Sequence, residues 1–436
     1  MNYVKKAPSS LHADQTLHNK SLNPISGSKC KTSLGTMSGT MSLSIRIPLF
    51  LLIFFVDANP LWAHHLASQN QSVYEHHPSR TDQDLKKYTR KLSQAYENYR
   101  KNTSQVWGDD TVLPDARTDV TYRDNYKQRS IIDYEQGKVS VELAIKEDQT
   151  SDKKRVRHSL EQAIEQTILQ TPDERSIIDI AKHPEPPKSD KPPVLAGLIA
   201  NDDGTPLTTN NIAKFKQVKT RRLKQRTITG RDGRQRIVYR TQFDLVPDHI
   251  RKRAQRFRRA VDRNATLRRI PAALIFAVME TESFFNPYAK SPIPAFGLMQ
   301  LVPASGARDA YKFLHARDKV VKERYLYNPN NNIELGAAYL HILYFRYFNQ
   351  IRDPQSRLWA TIAAYNAGFQ NVIKTYAGEF DATNHAAHWI WRRRAINKIN
   401  KMKAEQVYEY FCDNLPFEES RDYLRKVRER MGKYQI

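Results

Sequence analysis

Met279-Glu-Thr-Glu-Ser-Phe-Phe-Asn-Pro-Tyr-Ala-Lys-Ser291 is the stretch that decides the reading of this chain. It extends an apolar run, Pro271-Ala-Ala-Leu-Ile-Phe-Ala-Val, with Pro271 suited to a first helical position. Leu274, Val278 and Glu282 fall at i, i+4 and i+8, on one face of a 3.6-residue helix. Glu282 therefore shares the apolar face, whereas Glu280 points the opposite way. Asn286-Pro287 marks the stop. Desolvation beside apolar groups raises a carboxyl pKa. A carboxyl kept protonated near neutral pH can serve as a general acid. The bland alternative is a helix-end carboxylate that reaches water past the apolar face.

The chain has 436 residues, enough for two domains with substantial cores. Its 70 Lys and Arg against 46 Asp and Glu give a formal charge of +24, a field that favours polyanions. Nucleic acid, a cell wall bearing peptide carboxylates and an anionic membrane surface all fit that charge. No zinc-finger spacing and no basic region leading into heptads is present. Basic runs such as Arg221-Arg222 and Arg392-Arg393-Arg394 are more often solvated faces than readers of nucleic acid. Two cysteines, Cys30 and Cys412, build neither a metal cluster nor a disulfide framework, and no metal or cofactor is expected.

Arg46 precedes a ten-residue apolar run, Ile47-Pro-Leu-Phe-Leu-Leu-Ile-Phe-Phe-Val56, too short to span a bilayer and suited to a signal-peptide core. Leu61-Trp62-Ala63 can end a cleavage site, and Met37 or Met41 can serve as the start. Residues 1–63 thus read as a leader and imply export. Residues 64–82, rich in His, Ser, Gln and Asp, read as a linker.

Beyond it, 84–106 has helical spacing, with Tyr88, Leu92, Tyr96 and Tyr99 inward. Strand-like runs at 129–134 and 138–145 flank Glu135-Gln136-Gly137, a hairpin. A helix follows over 154–170, then a Pro- and Lys-rich connector over 182–193. Residues 194–200 read as a strand, 209–224 as a basic helix, and 227–230 with 237–246 as a second hairpin. From Pro247 the pattern turns helical. The fold class expected is α+β: a mixed N-terminal domain over 83–246, then an all-α domain over 247–436.

Glu282-Ser283, Asn286-Pro287, Ala289, Ser291, Gly297-Leu298-Met299-Gln300 and Pro303 closely resemble the soluble lytic transglycosylase pattern. Two further blocks follow in order, Ala364-Tyr-Asn-Ala-Gly368 and Ser420-Arg-Asp-Tyr-Leu-Arg-Lys-Val427. That family cleaves peptidoglycan glycan strands on a lysozyme-like helical domain. The N-terminal part resembles the leading domain of membrane-bound members, through Trp107-Gly108, the hairpin at Gly137 and Phe243-Asp-Leu-Val-Pro247. Three positions depart from the pattern. Asn328 stands where an Asp is usual, at a helix-capping position that either residue serves. Pro294 stands where a small residue or an Asp is usual and stiffens the loop after Ser291. No cysteine lies between Val56 and the domain, which weighs against the lipid anchor of the membrane-bound members.

The resemblance implies that Glu282 protonates the glycosidic oxygen. Once ionised, it takes the proton from the muramyl C6 hydroxyl, which closes on C1 to leave a 1,6-anhydromuramyl end. It implies that Ser291 and Gln300 bind sugar, that Met299 forms an apolar wall, and that Tyr365 and Asn366 line the opposite side. Tyr423 would orient the Glu282 carboxyl. The blocks offer no second carboxylate apart from Glu280, which faces away, and Asp422. The implied substrate is peptidoglycan glycan strands, with no nucleic acid; the basic helix at 209–224 points further to wall or outer-membrane proteins recruited by the N-terminal domain. The implied setting is the periplasm with outer-membrane association. The rivals are a hydrolase on the same fold, which needs a second carboxylate, a wall-binding scaffold with a dead cleft, and a nucleic-acid binder.

Overall fold

The computed structural model describes residues 80–147, 152–292, 294–378 and 385–435. The signal-like segment, its cleavage site, Cys30 and nearly all of the 64–82 linker lie outside the described residues. The described chain opens on a long helix, α1 (Arg80–Trp107). Leu92, Tyr96 and Tyr99 are buried along it, as the helical spacing predicts. At its end the Trp107 indole donates to the Tyr126 carbonyl at 2.6 Å.

Five strands follow: β1 (Thr118–Arg123), β2 (Gln128–Asp133), β3 (Lys138–Lys146), β4 (Lys224–Thr229) and β5 (Gln235–Asp244). They form one antiparallel sheet in the order β1-β2-β3-β5-β4. The expected hairpin is present, with Asp133 paired to Lys138. Asp133 Oδ1 accepts from the Glu135 and Gln136 amides at 3.0 and 2.8 Å and sets the turn. Gly137 sits at φ +66°, where a Cβ would come within 2.5 Å of His249 Nε2. Inside the sheet, Glu142 is buried and met by Arg129 at 2.6 Å, Arg226 at 3.2 Å and Arg240 at 3.4 Å. The Arg129 guanidinium also lies 3.8 Å from the Trp107 ring centroid.

Three helices, α2 (Lys153–Ile168), α3 (Ile177–Lys182) and α4 (Ile212–Lys219), lie between β3 and β4 in the chain. Here the structure corrects two expectations. Residues 194–200 form turns rather than a strand, closed by Ala196 N–H to Pro193 O and Leu198 N–H to Leu195 O. Only Ala200 bridges, to Pro206. Leu195, Leu198 and Ile199 are buried at near-helical spacing, so their run of apolar residues was not strand alternation. The basic helix spans only 212–219, because residues from Lys224 onward pair with β5. Strand β1 went unread in the sequence, although Asp124-Asn125 mark the turn that ends it.

The remainder is helical: α5 (His249–Gln255), α6 (Arg258–Arg268), α7 (Ala272–Ser283), α8 (Gly306–His315), α9 (Glu323–Leu326), α10 (Pro329–Ile342), α11 (Pro354–Ala367), α12 (Phe369–Ala377), α13 (His385–Ile399), α14 (Ala404–Asn414) and α15 (Glu418–Lys433). One hydrophobic cluster runs from Leu92, Tyr99 and Val238 through Leu274 and Val278 to Leu424. Apolar packing therefore continues across residue 247. A second cluster, with Val139, Leu160, Ile164 and Phe243, fills the other face of the sheet. No helix among the described residues is long and apolar enough to cross a membrane.

Helix α7 differs from the sequence reading in one instructive way. Pro271 caps it from just outside, at ψ 130°. Every residue of α7 except Ala272 and Glu282 is buried, so it is enclosed all round rather than on one face. Glu280 does point away from Glu282, yet it is only 1% exposed. Its carboxylate meets Arg430 Nε at 3.3 Å and Lys433 Nζ at 3.1 Å, and accepts from the Tyr434 hydroxyl at 2.6 Å. Glu280→Gln should therefore lower unfolding free energy by about 3 kcal/mol, because it strands the buried Arg430 charge. Denaturant titration checks this, with a shift in midpoint at constant slope expected.

Candidate active site

The α7 helix ends one residue past Glu282, and the two residues after that end, Phe284 and Phe285, take left-handed backbone at φ 47° and 60°. Such conformations cost energy in bulky residues and persist where the surroundings over-determine them. Here Ser283 supplies part of that constraint. Its hydroxyl donates to the Leu298 carbonyl at 2.7 Å and to Met279 O at 3.2 Å, tying the helix end to the Gly297–Gln300 loop.

That loop is held from its other side by Asn332, a fully buried amide on α10. Asn332 Nδ2 donates to Phe296 O and Leu326 O, both at 2.9 Å, and its Oδ1 accepts from the Met299 amide at 2.9 Å. Asn328 caps α10 as expected, with Oδ1 accepting from Asn330 N at 3.0 Å and Asn331 N at 3.3 Å. Sequence reasoning noticed the cap and missed the clamp. The available signal was the last of the Asn run 330–332, one helical turn inside the cap and directly before the apolar part of the helix.

These elements frame a cleft of about 780 Å³. Of the residues singled out in the sequence, Glu282, Ser291, Gln300, Tyr365, Asn366 and Tyr423 line it. Gln300 sits at φ 44°, and its amide turns back to Gly297 O at 3.0 Å. The Tyr365 hydroxyl donates to Met299 O at 2.9 Å. Asn366 Oδ1 accepts from the Ser420 hydroxyl at 2.6 Å, which joins α11 to α15. Met299 does not reach the cleft. It is fully buried, and its thioether fills space left by Gly336, where a Cβ would lie 2.2 Å from Sδ. Its carbonyl, rather than its side chain, faces Tyr365.

Glu282 is half-buried: protein packs closely round its carboxyl, which keeps an opening into the cleft. Burial pushes its pKa up to about 8, and the Glu419 carboxylate adds to the rise. The Tyr423 hydroxyl and the Arg117 charge act the other way. Tyr423 is 5% exposed, and its hydroxyl makes no hydrogen bond of regular geometry among the described residues, which leaves it available to the neighbouring carboxyl. Two of these neighbours escaped the sequence reading. Glu419 sits beside the third motif block without belonging to it. Arg117 comes from the sheet region, lines the cleft, and pairs with Glu135 at 3.1 Å. No local pattern marks it. Next to Ser291, the buried Lys290 donates to Asp173 O at 2.7 Å and fastens this loop to the segment that precedes α3. No cluster of three or more potential metal ligands occurs among the described residues.

Chemically, the arrangement can hold a polar ligand and deliver one proton to it near neutral pH. The class is that of transglycosylases bearing the SLT domain, whose family pattern matches residues 259–387. Residues 85–256 match the N-terminal domain of membrane-bound lytic murein transglycosylase C. The chain belongs to the membrane-bound lytic murein transglycosylase C family. It is 32% identical over 360 residues to the protein of that name from Histophilus somni strain 2336, covering 81% of this chain and 91% of that one. It is 32% identical over 338 residues to that from Klebsiella pneumoniae, covering 77% and 87%. Among solved structures, the 70 kDa soluble lytic transglycosylase of Escherichia coli is 25% identical with a TM-score of 0.30. That match covers 41% of this chain and 24% of that one, too partial to carry the fold.

Two pH effects follow from Glu282. Activity that needs its acid form should fall above about pH 8. In a pH profile of kcat/KM, Arg117→Ala should move that limb upward and Glu419→Gln downward. Stability has its own sign. Between the ordinary carboxyl value of 4.5 and about 8, the native chain holds a proton that the unfolded chain has released. Stability should therefore fall as pH rises through that window and level off above it, and Glu282→Gln should remove that component of the slope.

Proposed function

We infer that this chain is a lytic transglycosylase that cleaves the β-1,4 bond between N-acetylmuramic acid and N-acetylglucosamine in peptidoglycan, with Glu282 as the single acid and base. Glu282 gives its proton to the bridging oxygen as the muramyl C1–O bond breaks. The ionised carboxylate then takes the proton of the muramyl C6 hydroxyl while that oxygen bonds to C1. The products are a free glucosamine hydroxyl and a 1,6-anhydromuramyl end, Glu282 is reprotonated, and no water is consumed. The observation that carries this reading is the Glu282 carboxyl, burial-shifted to about 8 and open to the cleft.

The supporting roles rest on position. Ser291 and Gln300 bind sugar from one wall, and Tyr365 and Asn366 from the other. Tyr423 orients the acid. Met299 acts through its carbonyl and its packing. The setting is the cell envelope, on the periplasmic side, where the α+β part up to residue 246 recruits wall or outer-membrane proteins. A hydrolytic reading has one observation in its favour: Glu419 shares the cleft and stands close enough to perturb Glu282. It could hold a water for attack on C1.

Digestion of purified sacculi, with products read by mass spectrometry, separates these readings. The full chain should yield anhydromuramyl ends, and Glu282→Gln should lose roughly 10³-fold of that rate, the scale of a missing general acid. Reducing ends that vanish in Glu419→Gln would instead establish hydrolysis.

A further inference from the structure

The outer face of α13 carries a feature that the cleft does not use. Across 385–403 the chain has six Lys and Arg residues and no Asp or Glu. The inner face is ordinary: Ala395, Ile396 and Ile399 are buried in the core, and Arg392 is tied to the Tyr347 carbonyl at 2.7 Å. The outer face is different. Trp389 is 60% and Ile390 49% exposed, and they are the only adjacent pair among the large apolar side chains left in solvent by the described residues. Arg393, Arg394, Asn397, Lys398 and Lys401 continue the same stripe, turn after turn, round a shallow hollow.

A charge run alone is usually a solvated face. An exposed Trp-Ile pair on that run is not explained so, because a solvated helix face has no use for large apolar side chains. The combination matches an interface between water and hydrocarbon. A Trp ring and an aliphatic side chain enter the boundary, while cations on long stems stay level with anionic headgroups. The helix is about 22 Å long at 1.5 Å per residue, enough to lie flat across several headgroups. A glycan strand suits the stripe less well: it can stack on Trp389 but offers Ile390 nothing apolar to enter. Nucleic acid would use the cations and equally leave Ile390 in water.

We propose that the outer face of α13, through Trp389, Ile390, Arg393, Arg394 and Lys401, docks this protein on an anionic phospholipid surface. The stripe lies apart from the residues that line the cleft, so docking leaves the reacting groups free.

The test is co-sedimentation of the full chain with vesicles of phosphatidylcholine, with and without 30% phosphatidylglycerol (about a third anionic, enough to attract juxtaposed cations). Two variants are compared with the unaltered chain, Trp389→Ser/Ile390→Ser and Arg393→Glu/Arg394→Glu. Any binding by the leader is common to all three. The expected result is that the first variant binds anionic vesicles at least tenfold more weakly. The second should lose the preference for anionic over neutral vesicles, and added salt should weaken the unaltered chain more than this second variant. Both variants should keep the unfolding midpoint and the rate on short soluble glycan fragments. Equal vesicle binding by all three proteins would overturn the proposal. So would variants that keep vesicle binding but lose binding to sacculi or to DNA, since the face would then belong to those polymers.

Discussion

The carboxylate of Glu280, which never meets the cleft, holds the arrangement on which the cleft depends. It draws Arg430, Lys433 and Tyr434 of the chain's last helix and its end onto the C-terminal part of α7. Stacking of Phe276 on Tyr434, with ring centroids 5.1 Å apart, extends the same contact. Helix α7 carries Glu282 in its last turn, and α15 carries Glu419 and Tyr423. One buried charge cluster therefore fixes the acid relative to the two neighbours that act on its proton. Such a cluster adds little net stability compared with apolar packing of equal volume, but it tolerates only one registration of the two helices. For a carboxyl that must sit against a particular hydroxyl, registration is the more valuable property.

The opposite wall is set by backbone hydrogen bonding rather than by charge. The Gly297–Gln300 loop has few contacts of its own, and its carbonyls and amides are claimed by Ser283, Asn332 and Tyr365. Each of those side chains is buried, so each bond is made where an unmade one would be costly. The loop is thereby fastened at once to α7, α10 and α11. The second sequence block therefore meets the first at this loop, through Tyr365, and the third block joins the second through Ser420 and Asn366.

How much of this was legible in the sequence depends on how local each cause is. The class of fold, the hairpin at Gly137 and the position of Glu282 follow from periodicity, turn chemistry and motif spacing, all of which act over a few residues. The enclosure of α7 on every side was not legible. Glu280 looks like a solvent-side residue until the cations of α15, some 150 positions away, are brought to it. Met299 was read as cleft wall from the family resemblance alone. The vacancy at Gly336 that takes its side chain is a tertiary fact. The strand expected at 194–200 failed for a related reason: a short apolar run carries no sign of which partner will cover it, and here turns present it to the second core.

Arg117 shows the same limit at the chemical centre. It belongs to the sheet region, and its charge lowers the Glu282 pKa while Glu419 raises it. The two act from opposite regions of the fold. Their balance depends on how the sheet sits against the helical part, which Lys290 and Asp173 help to fix. Apolar packing that runs unbroken across residue 247 makes this possible. A flexible joint there would let Arg117 wander by ångströms, and Coulomb interactions at such range change steeply with distance. The sheet region is thus more than an appendage to the helical part: the Arg117 charge it brings trims the rise that burial sets on the Glu282 carboxyl.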